Sequence, residues 1–315
     1  MKRLAALLLI VALAGCGQHA TRQATGAIRI MSMNPCIDAI LVRVADPGEI
    51  VSISHDSHDP AATSIPLDVA NRFPANAGTA EEVVAAQPSM VLLGSHGDPA
   101  TEKAIRAASV RMVAVGVPST ISESLDQIRG IARIAGHPER GAALVARIET
   151  ALDAAKPGPG TTPVDALIRQ GQGLVPGKGT LADDLLTRTG FRNKSPDFGL
   201  AMWDMLPLEP LMAHPPRLLL TDVSRTREQP AALSSVRQMR IADFPERLLR
   251  CAGPNLTDAA ARLKRIRQKF NYPSPLGEGT GVGQEAPAEY RSMTNTTPTP
   301  PLKRRGYDKA PDQRS

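Results

Sequence analysis

TISESLDQIRGIARIAGHPERGAALVARIETALDAAKPGPG, residues 120–160, is the stretch that decides the fold. Thr120-Ile121-Ser122-Glu123 has the capping-box pattern, in which a hydroxyl and a carboxylate reciprocally satisfy the free N–H groups of a helix start. A helical period runs from there to about Ala135. Gly136-His137-Pro138-Glu139 breaks it, and Pro138 is well placed to open a second helix, where a missing N–H costs nothing. The second helix carries Ala142, Leu144, Val145, Ile148 and Leu152 on one side, ends near Lys156 and is stopped by Pro157-Gly158-Pro159-Gly160. At 1.5 Å per residue it is roughly 25–30 Å long, enough to join two globular lobes.

Short β-rich runs and helical runs alternate on both sides of this connector. Upstream, Ile28-Arg29-Ile30-Met31-Ser32-Met33, Ile50-Val51-Ser52-Ile53, Met90-Val91-Leu92-Leu93 and Met112-Val113-Ala114-Val115 read as strands, with helices over 81–86 and 100–108. Downstream, 164–168 and Leu218-Leu219-Leu220 read as strands and Leu248-Leu249 as a short one. Residues 181–189, 209–213 and 231–239 read as helices, and 256–266 as a closing amphipathic helix capped by Asn255. Alternation of this kind predicts parallel sheets with helices on both faces. The halves also share a unit: Glu81, then Pro88, then the strand at Met90; Glu209, then Pro216, then the strand at Leu218, with the same Glu-to-Pro spacing. The expected fold is α/β, two Rossmann-like lobes with mostly parallel sheets (28–117 and 161–267) joined through 118–160 by one long rigid backbone helix.

The ends speak to compartment. Lys2 and Arg3 precede an apolar run from Leu4 to Leu13, too short for a permanent membrane span and read as a secretory signal over 1–15. Leu13-Ala14-Gly15-Cys16 resembles the bacterial lipobox, which implies acylation of Cys16, an anchor and linker over 16–27, and attachment to a bacterial membrane facing the periplasm. The alternative is an ordinary signal with an incidental cysteine. A net charge of +6 is scattered rather than striped, which argues against nucleic acid as a partner. Only Cys36 and Cys251 remain, suiting an oxidising compartment with one possible disulfide or two separate thiols. From about Gln268 the chain turns to Pro, Gly, Thr and charge without apolar period, read as a disordered tail over 268–315. No Gly-x-Ser-x-Gly elbow, His-Glu-x-x-His or Cys-x-x-Cys occurs, so no catalytic residue is assigned and an enzyme is not expected.

From about Ile28 to Ile266 the chain resembles the helical-backbone (class III) substrate-binding proteins that serve ABC importers of iron-siderophores, haem and cobalamin. The carriers are Met33-Asn34-Pro35 after the first strand, Gly78 through Leu93, Pro118 through Ala155, Gly177-Lys178-Gly179-Thr180-Leu181, and Cys251-Ala252-Gly253-Pro254. The resemblance implies a monomeric binding protein with no cofactor of its own. It would hold a metal chelate between its lobes and pass it to an ABC permease dimer. It also implies that Glu81 and Glu209 dock against arginines of that permease; two ordinary solvated carboxylates are the alternative.

Ligand candidates are loops just after strands, where open α/β sheets present their ligands. Asn34 and Pro35 leave the first strand. His55, Asp56 and His58 lie in Ser54-His55-Asp56-Ser57-His58-Asp59 after the second, the most imidazole-rich loop in the chain, suited to a chelate's rim or equally to a solvated turn. Trp203, the only tryptophan, matches the position at which cobalamin-binding relatives stack an aromatic on their ligand; the alternative is a core tryptophan packed on Leu206 and Leu208. Lys178, flanked by glycines, suits a negatively charged ligand group, and it is no P-loop lysine because Gly179 stands where Ser or Thr is required. Ala75 and Leu174 depart from the aromatics of cobalamin binders, and aromatics are 3% of the chain, so cobalamin and an iron chelate both stay open. Two rivals remain. A carrier of free zinc or manganese needs converging ligands from both lobes, and the second lobe offers only His214. A structural lipoprotein with a degenerate cleft needs no ligand at all.

Overall fold

Apolar alternation along the strands builds two separate sheets. A computed structural model describes residues 28–95, 97–224 and 231–271; the signal segment, Cys16 and the tail beyond Asn271 lie outside the described residues. In the first lobe β1 (Ile30–Ser32), α1 (Pro35–Val44), β2 (Ile50–Ser54), α2 (Leu67–Ala70), β3 (Ala75–Asn76), α3 (Ala80–Ala86), β4 (Met90–Gly94), α4 (Pro99–Ala107) and β5 (Arg111–Val115) follow one another. The sheet order is β3-β2-β1-β4-β5, with every pairing parallel. Two connector helices, α5 (Ile121–Ile134) and α6 (Pro138–Ala155), lead to the second lobe. There β6 (Val164–Ile168), β7 (Leu174–Pro176), α7 (Leu181–Arg188), β8 (Phe191–Asn193), β9 (Trp203–Met205), α8 (Leu208–Ala213), β10 (Leu218–Thr221), β11 (Arg240–Asp243), α9 (Arg247–Arg250) and α10 (Asn255–Asn271) complete the fold. Its main sheet, β11-β10-β6-β8, is parallel, and β7 and β9 form a separate antiparallel ribbon. The chain is thus α/β with two mostly parallel sheets.

Side chains alternate across each strand, so both sheet faces find cover. Ile30 and Leu92 in the first lobe, with Ala166, Ile168, Leu218 and Leu220 in the second, join one continuous apolar core with α1, α5, α6 and α10. Their neighbours Met31, Val91 and Leu93 face a cluster under α3 and α4, and Leu167 and Leu219 face another with Val175, Leu206 and Leu211. The connector α6 buries Leu144, Val145, Ile148 and Leu152 and packs against α5, α10 and α1. It therefore sits inside the shared core, fusing the lobes instead of hinging them. Gly141 is what lets α5 and α6 meet: a Cβ there would fall 2.4 Å from the Ala132 Cβ. Thr120 caps α5 by accepting from the Glu123 N–H (3.1 Å), whereas the Glu123 carboxylate reaches Ser119 N–H, not Thr120, so only half of the expected box forms.

Several elements differ from the sequence expectation. Residues 35–44, given no element above, form α1: Asn34 Oδ1 accepts from the N–H groups of Cys36 (2.9 Å) and Ile37 (3.3 Å), with Pro35 in the first turn. Leu248-Leu249 lies in a helix, α9, not a strand. The expected helix over 231–239 shrinks to a 3-10 turn at Ala231–Ser235, and the strand that follows is β11. The closing helix runs past 266 and past the expected tail start at 268, reaching Asn271. Its last turn is held by polar and cation–π contacts that an apolar period does not register. Arg267 donates to the carbonyls of Ala155 (2.9 Å), Lys156 (3.2 Å) and Thr189, and Arg217 and Arg240 lie over the Phe270 ring at 5.1 and 5.0 Å.

Filling the α5–α6 contact tests this packing. Gly141→Val is expected to cost about 1–3 kcal/mol by overpacking, read as a lower urea midpoint with an unchanged slope; an unaltered midpoint would mean that the helices are not seated so closely.

Candidate functional site

Strands of a parallel sheet end on the same side, and in the first lobe those ends frame a cavity of about 510 Å³. That volume falls within the range of small-molecule sites. Its lining includes Met33 and Asn34 after β1, Leu93 to Ser95 at the end of β4 and Val115 to Val117 at the end of β5. Asp98, Thr101 and Glu102 at the start of α4 form one wall, and Arg250, Cys251 and Ala252 of the second lobe another. Asp98 caps α4, accepting from the N–H and the hydroxyl of Thr101 (both 2.8 Å), and those bonds hold its carboxyl below the usual carboxylate range. The lining thus mixes the acidic Asp98 and Glu102, the basic Arg250 and the polar Asn34 and Ser95 with the apolar Met33, Leu93, Val115 and Val117. Cys36 and Cys251 both line it and are joined there by a disulfide, with α-carbons 5.0 Å apart.

The sequence candidates fall in three places. Asn34 lines the cavity, while its carboxamide oxygen caps α1; Pro35, next in the chain, opens that helix. His55, Asp56 and His58 form a 3-10 turn after β2, off the cavity lining. His55 Nδ1 is 3.2 Å from the carbonyl of Asn76, one residue before Ala77 of the cavity wall, and its Nε2 is 3.4 Å from Asp56. His58 Nδ1 is 3.3 Å from Asn71 Oδ1. Lys178 and Trp203 lie on the second lobe beside the β7–β9 ribbon, where Trp203 pairs with Pro176. Gly177 is required there, since a Cβ would stand 2.1 Å from the Ala201 carbonyl oxygen. The Trp203 ring is not a core residue: it is 51% exposed, between Met202 and Met205, which are exposed to a similar degree. Lys178 is exposed as well.

The two glutamates occupy matching surroundings. Glu82 turns inward to cap α3, accepting from Ala77 N–H (3.0 Å) and Thr79 N–H (3.1 Å), which leaves Glu81 in solvent. Two residues after Glu81 and Glu209 stand the buried Val83 and Leu211; three residues after them stand the exposed Val84 and Met212. Each lobe therefore shows one carboxylate and one apolar side chain on the same face of a short helix.

Sequence reasoning missed the buried polar cluster beneath the His55–His58 turn. Asp38, fully buried on α1, accepts from Ser54 N–H (2.9 Å) and the Ser57 hydroxyl (2.7 Å) through Oδ2, and its Oδ1 has no hydrogen-bond partner among the described residues. Burial pushes its carboxyl up to about 7 against these bonds. The only signal was one acid inside the apolar run of α1. Asn76 donates to the Ser32 carbonyl (2.8 Å) and the Ser52 hydroxyl (3.0 Å), so this cluster joins β1, β2, β3 and α1.

A family model described as periplasmic binding protein matches residues 30–270. The chain belongs to that family. Among solved periplasmic binding proteins, the apo haem-binding protein RhuT of Roseiflexus sp. RS-1 is similar at 23% identity, with TM-score 0.58 over 76% of this chain and 99% of that one. The haem-binding protein HutB of Vibrio cholerae is similar at 17% identity and TM-score 0.61, covering 77% of this chain and 99% of that one. The vitamin B12 binding protein BtuF of Vibrio cholerae is similar at 16% identity and TM-score 0.60, covering 76% and 98%. At these identities the likeness is one of fold. No curated protein matches the chain.

The Asp38 cluster gives this periplasmic binding protein a distinctive pH response. A carboxyl whose folded pKa stands above its unfolded value contributes stability that is fully present below the unfolded pKa and lost as pH rises through the folded one. Stability attributable to Asp38 should therefore fall from about pH 4, near the ordinary aspartate value, to about pH 7. Asp38→Asn, which mimics the protonated acid, should flatten that fall by an amount on the order of a few kcal/mol; equal slopes for both proteins in urea titrations would remove the assignment.

Proposed function

We propose that this chain is the substrate-binding lipoprotein of an ABC importer, which captures a metal chelate, cobalamin or an iron-siderophore or haem, between its lobes and delivers it to a permease dimer. The observation that carries the reading is the cavity at the strand ends of the first lobe, closed on one side by the second lobe's Arg250 to Ala252. Membership of the periplasmic binding family and the haem and vitamin B12 ligands of the solved relatives support it. Within it, Asn34 meets the ligand in the cavity with Pro35 beside it at the start of α1, and His55, Asp56 and His58, off the lining, reach the ligand's rim from the turn after β2. Trp203 offers one ring face to a flat macrocycle, worth on the order of 1 kcal/mol beyond area burial, and Lys178 meets a carboxylate or phosphate on the ligand. Cys16 carries the lipid that holds the protein at the membrane.

In this reading Trp203, the only tryptophan and half exposed, reports ligand binding through its fluorescence. Titrating delipidated protein with cobalamin, haem and ferric siderophores should give quenching by one class at sub-micromolar concentration; silence toward all three, with tight binding of free zinc or manganese in the cleft, would replace this reading with that of a bare-metal carrier.

In the same reading Glu81 and Glu209 are the permease contacts, one on each lobe. Two fixed charges steer orientation and encounter more than they add affinity. Reversing both to Lys should leave chelate affinity unchanged and abolish uptake in cells, and normal uptake by the double variant would remove the docking role.

A further inference from the structure

The approach to α6 brings together three side chains that the transport reading does not use. Asp46 and Glu49 lie in the turn between α1 and β2, where Glu49 Oε2 accepts from Asp46 N–H at 2.7 Å. His137, far along the chain, is the residue just before α6. Its Nε2 lies 2.8 Å from Glu49 Oε2 and 3.8 Å from Asp46 Oδ2. The imidazole and the Glu49 carboxylate are 17% and 19% exposed, so both are half withdrawn from water, while Asp46 closes the solvent side. It is the only group of three such side chains with converging ligand atoms among the described residues.

We propose that Asp46, Glu49 and His137 form a structural site for a divalent cation of the zinc class, apart from the chelate cavity, that fastens the start of α6 to the first lobe. One imidazole with two carboxylates is a donor set that such cations accept. Ligand atoms about 2.0–2.2 Å from a tetrahedral zinc stand about 3.3–3.5 Å apart. The two nitrogen-to-oxygen distances found here, 2.8 and 3.8 Å, straddle that spacing, and all three ligand atoms lie within 4.8 Å of one another. The surroundings suit the role. Arg140 holds Asp46 through Oδ1 at 2.7 Å, leaving Oδ2 to the site. Glu139 Oε1 lies 3.8 Å from His137 Nδ1, on the side from which a carboxylate orients a metal-bound imidazole. Three carboxylates thus surround His137 against the single guanidinium of Arg140. Without metal, the same atoms make a hydrogen-bonded clamp, so the site is assembled before a cation arrives.

The test uses the full chain stripped of metal. Zinc chloride titrated calorimetrically should show one saturable site and a raised thermal midpoint. His137→Gln and Glu49→Gln should each weaken binding by at least the roughly 10–100-fold that loss of a supporting second-shell group costs, whereas the joint change His55→Gln and His58→Gln should leave it intact. Unsaturable binding, or unchanged affinity in His137→Gln, would overturn the proposal. Should His137→Gln fail to fold, copper loaded into the wild-type chain decides: electron paramagnetic resonance should show coupling to a single imidazole nitrogen, and coupling to two or to none would place the ion elsewhere.

Discussion

The structure depends on the burial of α6 within a core that both lobes share. A helix exposed between two domains bends by opening its solvent-side hydrogen bonds, but one packed against α1, α5 and α10 cannot bend without separating apolar surfaces on several sides. Gly141 sets how closely α5 lies on it, and Asp184 and Ser124 add polar ties between α5 and the second lobe. Asp184 accepts from Ile121 N–H, and Ser124 accepts from Gly253 N–H, each at 2.8 Å. The relative placement of the two sheets is therefore fixed by packing.

A fixed frame changes what the cavity must do. With little lobe closure to draw on, affinity has to come from surfaces already in place, and preorganised sites lose less entropy on binding. The lining agrees with this. Asn34 and Asp98 are each committed to a helix cap, which pins their orientation, and Gln127 donates to the Gly116 carbonyl at 2.7 Å. The polar network of Asp38, Ser54 and Ser57 braces the neighbouring turn from below. The ribbon with Trp203 is held by main-chain pairing and by the close approach of Gly177 to Ala201.

How much of this was legible in the sequence follows from burial. The apolar runs of four residues at Met90 and three at Leu218 announced central strands because both their faces are covered, and α5 announced itself through a one-sided apolar period. Helix α1 does carry a stripe, Ile37, Ile40, Leu41 and Val44 at i, i+3, i+4 and i+7, but Asp38 and Ala39 off that face are buried as well, which blurs its contrast between an apolar and a polar side. Its start was nevertheless written in Asn34-Pro35, a cap and a first-turn proline, which a search for ligand loops passed over. Strands of two to four residues, such as β3, β9 and β11, are too short to show a period, and so is α9, whose Leu248-Leu249 pair reads as readily as a strand. Of the residues singled out by type, Asn34 lines the cavity, while Lys178 and Trp203 stand off its lining on the second lobe. The Cys36–Cys251 pair was legible as the one disulfide the remaining cysteines could form, with two free thiols as its alternative, but Asp38 with its serines and Asp46 with His137 arise from contacts distant along the chain, which local pattern cannot encode.

The Cys36–Cys251 bond also determines how the molecule bears load. It closes the backbone into a covalent ring that holds β2 through α9, including the connector and the strands that frame most of the cavity. Tension applied at the two ends of the chain is carried across the sulfurs and bypasses everything inside the ring. Only the segments outside it, with β1 at the centre of the first sheet and α10 against the connector, are open to being peeled away, so an oxidised molecule that is pulled would lose its two outer straps while the greater part of its body stays loaded by none of the force.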